Sequence, residues 1–243
     1  MLLGRWFWVT LGTELVYHLF FDLDGTLTDP APGITACFAH ALRALGHPAR
    51  SEAELRRFIG PPMRDAFAEL LGTTDTRLIE EGVRLYRERY VDVGILENTL
   101  HSGVPQLLSL LRGEGFGLSV VTSKAKLHAD RIVDHFGLRE FFEHVYGAEL
   151  SGGHSSKTEL IADALKAEGV PSRHACMIGD RSYDIVGAKA NGVACMGVSW
   201  GYGSRDELHA AGADLVVDMV DELPAASRTL RDRGFNLPPG EHS

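Results

Sequence analysis

The run Asp22-Leu23-Asp24-Gly25-Thr26-Leu27-Thr28-Asp29 follows without a break on the apolar, aromatic stretch at residues 16–21, VYHLFF. A short apolar run that turns acidic in one step predicts a buried strand ending in a polar turn. Asp22 and Asp24 stand at i and i+2, so in extended backbone both carboxylates point to one side of the chain. Gly25 allows the sharp turn behind them. Taken alone, Asp-x-Asp-Gly is as much a polar turn as a site. The strand before it and Thr26-Leu27-Thr28 after it weigh toward a site.

Downstream, the spacing is helical. Ile34, Cys37, Phe38, Ala41, Leu42 and Leu45 mark one helix over 33–45, and Ser51-Glu52-Ala53-Glu54 is a capping box that opens a second. After the breaker Gly60-Pro61-Pro62 come helices over 63–71 and from Asp75, the latter carrying Leu78, Ile79, Val83, Tyr86 and Tyr90 on one face. Residues 30–100 thus read as helices without a strand. From there strands and helices alternate: helix 104–111, strand 117–121 ending at Thr122, helix 129–136, short strand 144–146, helix 158–166 and strand 175–178 ending at Gly179-Asp180. Helix 184–190, strand 193–198, a second capping box Ser204-Arg205-Asp206-Glu207, strand 214–217 and helix 220–230 complete the series. The alternation predicts an α/β, Rossmann-like core with a parallel sheet covered on both faces. The core would comprise 15–29 and 101–231, with an all-helical domain inserted at 30–100 and terminal extensions at 1–14 and 232–243, the last frayed around Pro238-Pro239-Gly240. Ligands in such sheets bind at the carboxyl ends of the strands. The polar residues there are Asp22, Thr122 and Asp180.

The 243 residues are enough to bury a core without metal or disulfide staples, and 44% hydrophobic with 23% charged residues is ordinary for a globular chain. A net charge of −9 without a Lys/Arg block argues against a nucleic-acid backbone as partner, though not against a small anionic substrate. The N-terminal MLLGRWFWVTLGT is too short to span a bilayer and lacks a clear cleavage site, so no membrane partner is expected. Cys37, Cys176 and Cys195 are far apart and odd in number, which suits buried thiols in a reducing cytoplasm. The histidines hold no zinc-binding spacing.

Four stretches, in order, resemble the haloacid dehalogenase-like hydrolases: the DLDGTLTD run, Val121-Thr122-Ser123-Lys124, Lys157 after Ser155-Ser156, and Gly179-Asp180-Arg181-Ser182-Tyr183-Asp184 with Gly187-Ala188 behind it. The resemblance covers nearly the whole chain after residue 15, and the helical insert resembles that superfamily's helical cap. It implies Asp22 as nucleophile and Asp24 as general acid/base, the pattern of the phosphatases and phosphomutases. It implies Mg²⁺ held by Asp22, the Asp24 backbone carbonyl and Asp180, with Asp184 one turn further on behind a metal-bound water. Thr122 and the Ser123 backbone N–H would bind a phosphoryl oxygen. Lys157 would place its charge there, ahead of the rival lysines Lys124 and Lys126.

Within the superfamily the chain is similar to the phosphoglycolate phosphatase and 5′-nucleotidase-like branch. The cues are Asp29-Pro30 with Gly33-Ile34, Phe58-Ile59-Gly60-Pro61-Pro62, and Gly187-Ala188-Lys189-Ala190-Asn191-Gly192. His154 stands where some nucleotidase-like relatives carry a more basic residue. Gly201-Tyr202-Gly203 is either a substrate-rim loop or an ordinary turn. The expected activity is Mg²⁺-dependent hydrolysis of a small phosphorylated metabolite by a monomer or homodimer. The alternatives are a sugar phosphomutase or a non-catalytic regulatory relative. Arg64, the cation nearest the Gly60-Pro61-Pro62 break, is the candidate to fork onto a substrate oxygen.

Overall fold

The structure, a computed structural model, describes residues 16–59, 63–150 and 155–235. Residues 1–14, Gly60-Pro61-Pro62, His154 and Pro238-Pro239-Gly240, on which some of the sequence expectations fall, lie outside the described residues.

Strand β1 (His18–Phe21) is the pivot of the core. Side chains alternate across a strand. Tyr17, Leu19 and Phe21 therefore enter one apolar cluster, and Phe20 enters another on the opposite face. An amphipathic strand could not serve both clusters. β1 lies inside a six-stranded parallel sheet of order β5-β4-β1-β6-β7-β8. The other strands are β4 (Gly117–Ala125), β5 (His144–Ala148), β6 (Ala175–Gly179), β7 (Ala194–Val198) and β8 (Leu215–Val217). One face is covered by α5 (Val104–Gly113), α6 (Lys126–His135) and α10 (Leu223–Phe235), which contribute Leu107, Leu108, Leu111, Ile132, Val133 and Leu230. The other is covered by α7 (Lys157–Glu168), α8 (Ser182–Ala190) and α9 (Arg205–Ala210), through Leu160, Ile161, Ile185, Ala188 and Leu208.

Register decides what happens at the strand ends. Phe21 pairs with Val120 on one side and Ile178 on the other, so Asp22, Thr122 and Asp180 emerge at nearly one level.

Between β1 and α5 the chain makes α1 (Ala31–Ala44), α2 (Glu52–Arg56), α3 (Met63–Leu71) and α4 (Thr76–Arg89), followed by a π-helical turn over Tyr90–Gly94. These helices bury a separate cluster around Phe38. Its ring centroid lies 6.0, 5.4 and 4.9 Å from those of Phe58, Phe67 and Tyr86.

Some local expectations change. A strand does exist before residue 100. β2 (Thr28–Asp29) pairs antiparallel with β3 (Thr99–Leu100), so the chain enters and leaves the helical insert along one short ribbon. Two residues are too few for alternation to register in a sequence. β4 runs past Thr122 to Ala125, with its pairing to β5 interrupted between those residues. α10 continues to Phe235, into the stretch expected to be a terminal extension. At Ser51 the capping box forms in both directions. At Ser204 the hydroxyl caps Glu207, but the Glu207 carboxylate instead accepts from Ser182 N (2.8 Å) and pairs with Arg181 (3.0 Å).

Phe38 is the centre of the insert's own core, and a buried Phe→Ala change costs ~3–5 kcal/mol through lost transfer energy and the cavity left. Phe38→Ala is expected to lower unfolding free energy by that amount in urea titrations. A loss below about 1 kcal/mol would show that the aromatic cluster does not hold the insert together.

Candidate active site

Lys157 is the first residue of α7, just inside the Ser156 cap. Its side chain is only 4% exposed; the ammonium lies 2.9 Å from Asp22 Oδ1 and 2.7 Å from Asp184 Oδ1, and donates to the Val121 carbonyl at 2.7 Å. Burial pulls the Lys157 pKa down, but the Asp184 and Asp22 carboxylates more than reverse this and leave it raised. Gly187 makes the approach possible: a Cβ on α8 at that position would press on the Cβ of Lys157.

Asp180 is fully buried at the end of β6. Its carboxylate accepts from Thr26 Oγ1 (3.3 Å) and from the Tyr202 backbone N–H (2.7 Å). Two glycines make room for it. Gly25 has φ +83°, a conformation that favours glycine, and a Cβ at either Gly25 or Gly201 would overlap the Asp180 carboxylate. Burial and the nearby charge of Asp22 push the Asp180 pKa up to about 7. For Asp184, burial outweighs the pull of Lys157, and its pKa rises to about 6. Asp184 also accepts from Arg181 N at 3.1 Å, which fixes the first turn of α8.

Carboxylate oxygens of Asp22, Asp180 and Asp184 all lie within 4.8 Å of one another. An oxygen-only, anionic donor set of this kind suits a hard divalent cation such as Mg²⁺ or Ca²⁺. The raised pKa values of Asp180 and Asp184 record repulsion and desolvation that such an ion would relieve.

Asp24 is handled by a different lysine. Lys124 Nζ lies 2.7 Å from Asp24 Oδ2, while Asp24 Oδ1 is buried without a hydrogen-bond partner among the described residues. Burial raises the Asp24 pKa, and Lys124 offsets this only in part.

Asp22, Asp24, Thr122, Ser123, Lys157, Asp180 and Asp184 all line one cleft of about 190 Å³, together with Lys124, Arg181 and Tyr202. Ile34 and Ile59 from the insert, and the 65%-exposed Tyr183, form its apolar border. A larger, more apolar cleft of about 570 Å³ beside Leu110 and Trp200 contains none of the strand-end carboxylates.

Arg64 is not brought into the cleft. It is an exposed residue of α3 that pairs with Glu80 of α4, because the first turn of α3 turns that side chain toward solvent. Lys126 pairs with Asp130 on the surface of α6. Of the residues that sequence reasoning ranked low or left open, Lys124 and Tyr202 line the same cleft. The Tyr202 hydroxyl donates to Asp29 Oδ1 at 2.5 Å while its backbone N–H donates to Asp180, which places the Gly201-Tyr202-Gly203 loop beside both carboxylates. The available signal for Lys124 was its place two residues after Thr122 at a strand end.

A profile of the family described as haloacid dehalogenase-like hydrolase matches residues 19–198. A 5′-nucleotidase of Pseudomonas aeruginosa is 46% identical over 193 residues, covering 79% of this chain and 87% of that protein. The tyrosine-protein kinase PtkA of Mycobacterium tuberculosis is 40% identical, covering 85% of this chain and 70% of that protein. Among solved structures, a predicted phosphatase from Clostridium acetobutylicum superposes with a TM-score of 0.79 at 37% identity, covering 88% of this chain and 99% of that one.

The raised carboxylates have a defined pH signature. An Asp in an unfolded chain titrates near ~3.9, whereas folded Asp180 titrates at about 7. Between these values the folded state binds the extra proton, so stability is present below ~pH 4 and is lost as pH rises toward 7. Metal-free protein should therefore lose unfolding free energy over this range, by up to ~1.4 kcal/mol per pH unit from Asp180. Asp180→Asn should flatten the dependence and exceed the metal-free wild type in stability above pH 7. Urea titrations in chelator at several pH values measure both. Identical slopes in the two proteins would show that the carboxyl is not under this strain.

Proposed function

The chain belongs to the haloacid dehalogenase-like hydrolases, and from that membership we propose that it is a Mg²⁺-dependent phosphatase acting through an aspartyl-phosphate on Asp22. The observation that carries this reading is the division of labour between the two strand-end carboxylates: Asp22 is held by Lys157 and Asp24 by Lys124, in one cleft.

In this reading an Asp22 carboxylate oxygen attacks phosphorus. A carboxylate nucleophile, unlike a hydroxyl, has no proton that a base must remove as it attacks. The P–O bond to the leaving group breaks, and Asp24 donates a proton to the departing alkoxide oxygen. Asp24, now an anion, takes a proton from water as that water attacks the aspartyl-phosphate, which releases inorganic phosphate and restores Asp22. Thr122 Oγ1 and the Ser123 backbone N–H donate to phosphoryl oxygens, and Lys157 offsets their charge. Mg²⁺ held by Asp22, Asp180 and the Asp24 carbonyl, with Asp184 behind, supplies charge neutralisation between two anions.

The helical insert at 30–100 supplies the cleft wall that meets the leaving group, through Ile34 and Ile59. That apolar wall, with Tyr183 and Tyr202, and the likeness to a protein named 5′-nucleotidase favour a nucleoside 5′-monophosphate as substrate. Phosphoglycolate is the other ester that the sequence resemblance suggests. The likeness to a protein named a tyrosine kinase supports a second reading, phosphoryl transfer to a tyrosine hydroxyl. Single-turnover release of inorganic phosphate distinguishes hydrolysis from transfer to tyrosine or to a sugar.

A panel of phosphate esters with Mg²⁺ should show turnover that chelator abolishes and Mg²⁺ restores. Asp22→Asn should lower kcat by about three orders of magnitude or more with the fold intact by circular dichroism. Near wild-type turnover by folded Asp22→Asn, or full activity after exhaustive chelation, would overturn the mechanism.

A further inference from the structure

We propose that Tyr90 and Lys124 are positioning residues for the proton transfer: the helical insert orients the Asp24 carboxyl through the chain Tyr90–Lys124–Asp24. This rests on the reading of Asp24 as the general acid and goes one step beyond it.

Lys124 is nearly buried, with 10% of its side chain exposed, and its ammonium has two partners. One is Asp24 Oδ2 at 2.7 Å. The other is the Tyr90 hydroxyl at 2.5 Å, and the same ammonium sits 5.1 Å from the centroid of the Tyr90 ring. A lysine ends in a point charge on a flexible stem and does not define a direction by itself. A second anchor is what turns it into a tether.

Tyr90 is built to be that anchor. It opens the π-helical turn at the end of α4, in the insert, and packs against both the insert cluster and the core cluster. Its ring stacks on Tyr86 at 5.7 Å with planes 14° apart, and the edge contact to His128 of α6, also 5.7 Å, braces it from the core side. The hydroxyl is thereby held at the border between the two parts of the molecule.

The tether engages only one oxygen of Asp24. Oδ1 is buried and has no hydrogen-bond partner among the described residues. With Oδ2 held on Lys124, the plane of the Asp24 carboxyl is set, and with it the direction in which the group can hand a proton to the leaving group. Proton transfer demands hydrogen-bond reach, so a carboxyl free to rotate would lose most of its effect. The rival role for Lys124 is a direct contact to the phosphoryl group, which would serve every ester equally.

The test compares kcat/KM, which reports steps up to leaving-group departure, for a nucleoside 5′-monophosphate or another alkyl phosphate and for p-nitrophenyl phosphate. The p-nitrophenolate leaves without needing a proton. Asp24→Asn should depress the alkyl ester by about 10²–10⁴-fold and the aryl ester far less. Tyr90→Phe keeps the stacked ring and removes only the hydroxyl. It should lower kcat/KM for the alkyl ester about tenfold and change the aryl ester by less than about twofold. Lys124→Met should show the same selectivity more strongly, and Tyr90→Phe should add nothing in the Asp24→Asn background. Equal losses on both esters, no loss on either, or additivity with Asp24→Asn would overturn the relay. Absence of leaving-group selectivity in Asp24→Asn itself would instead overturn the general-acid reading on which the relay rests. Melting temperatures of the variants separate misfolding from loss of positioning, and the conservative Tyr90→Phe decides the matter if Lys124→Met fails to fold.

Discussion

One buried ammonium makes the cleft possible. Lys157 touches Asp22, Asp184 and the Val121 carbonyl within 2.9 Å, and so joins α7 to the end of β1, to the middle of β4 and to α8. Parallel strands in register bring their end residues to nearly one level, and two of those residues, Asp22 and Asp180, carry carboxyl groups. Without a cation the repulsion would force protonation or open the strand ends. A buried charge left unpaired costs more than the pair contributes, so the lysine and its carboxylates stand or fall together. The arrangement is only partly balanced. Asp180 gets its support from neutral donors, Thr26 and the Tyr202 backbone, and keeps a strongly raised pKa.

The second lysine serves a different carboxylate. Lys157 arrives from a helix start and pairs with Asp22; Lys124 arrives from a strand end and pairs with Asp24. Each of the two carboxylates thus has its own counter-charge, and Lys124 offsets only in part the rise in pKa that burial gives Asp24. Bulky residues would destroy this geometry before any charge did, because Gly25 and Gly201 both abut the Asp180 carboxylate.

Much of this was legible in the chain because the signals were local. The VYHLFF run with its abrupt Asp22 identifies a strand end, and the alternation of strands with helices identifies a parallel sheet. Asp180 and Asp184 could be read from their place after a strand and one helical turn apart. What escaped was set by distance in space. Lys124 and Lys126 look alike in sequence, yet one is buried against Asp24 and the other pairs on the surface with Asp130. Arg64 follows the Gly60-Pro61-Pro62 break, but a neighbour sixteen residues away, Glu80, claims it. The box at Ser204 has the right letters, yet Glu207 finds better donors on α8. For Lys124, Arg64 and Glu207 a tertiary partner outcompetes the local rule.

The β2–β3 ribbon has an evolutionary consequence. Paired strands run about 5 Å apart, so the roughly seventy residues between Asp29 and Thr99 start and finish almost at one point. Such a segment is an interchangeable module. Its length and composition can drift, or be exchanged outright, with no demand on the register of the parallel sheet. The carboxylates and lysines at the strand ends stay under one set of constraints, while the cleft border formed by Ile34 and Ile59 is free to answer to another. A lineage carrying this ribbon can thus change what it recognises far faster than it can change the bond it breaks.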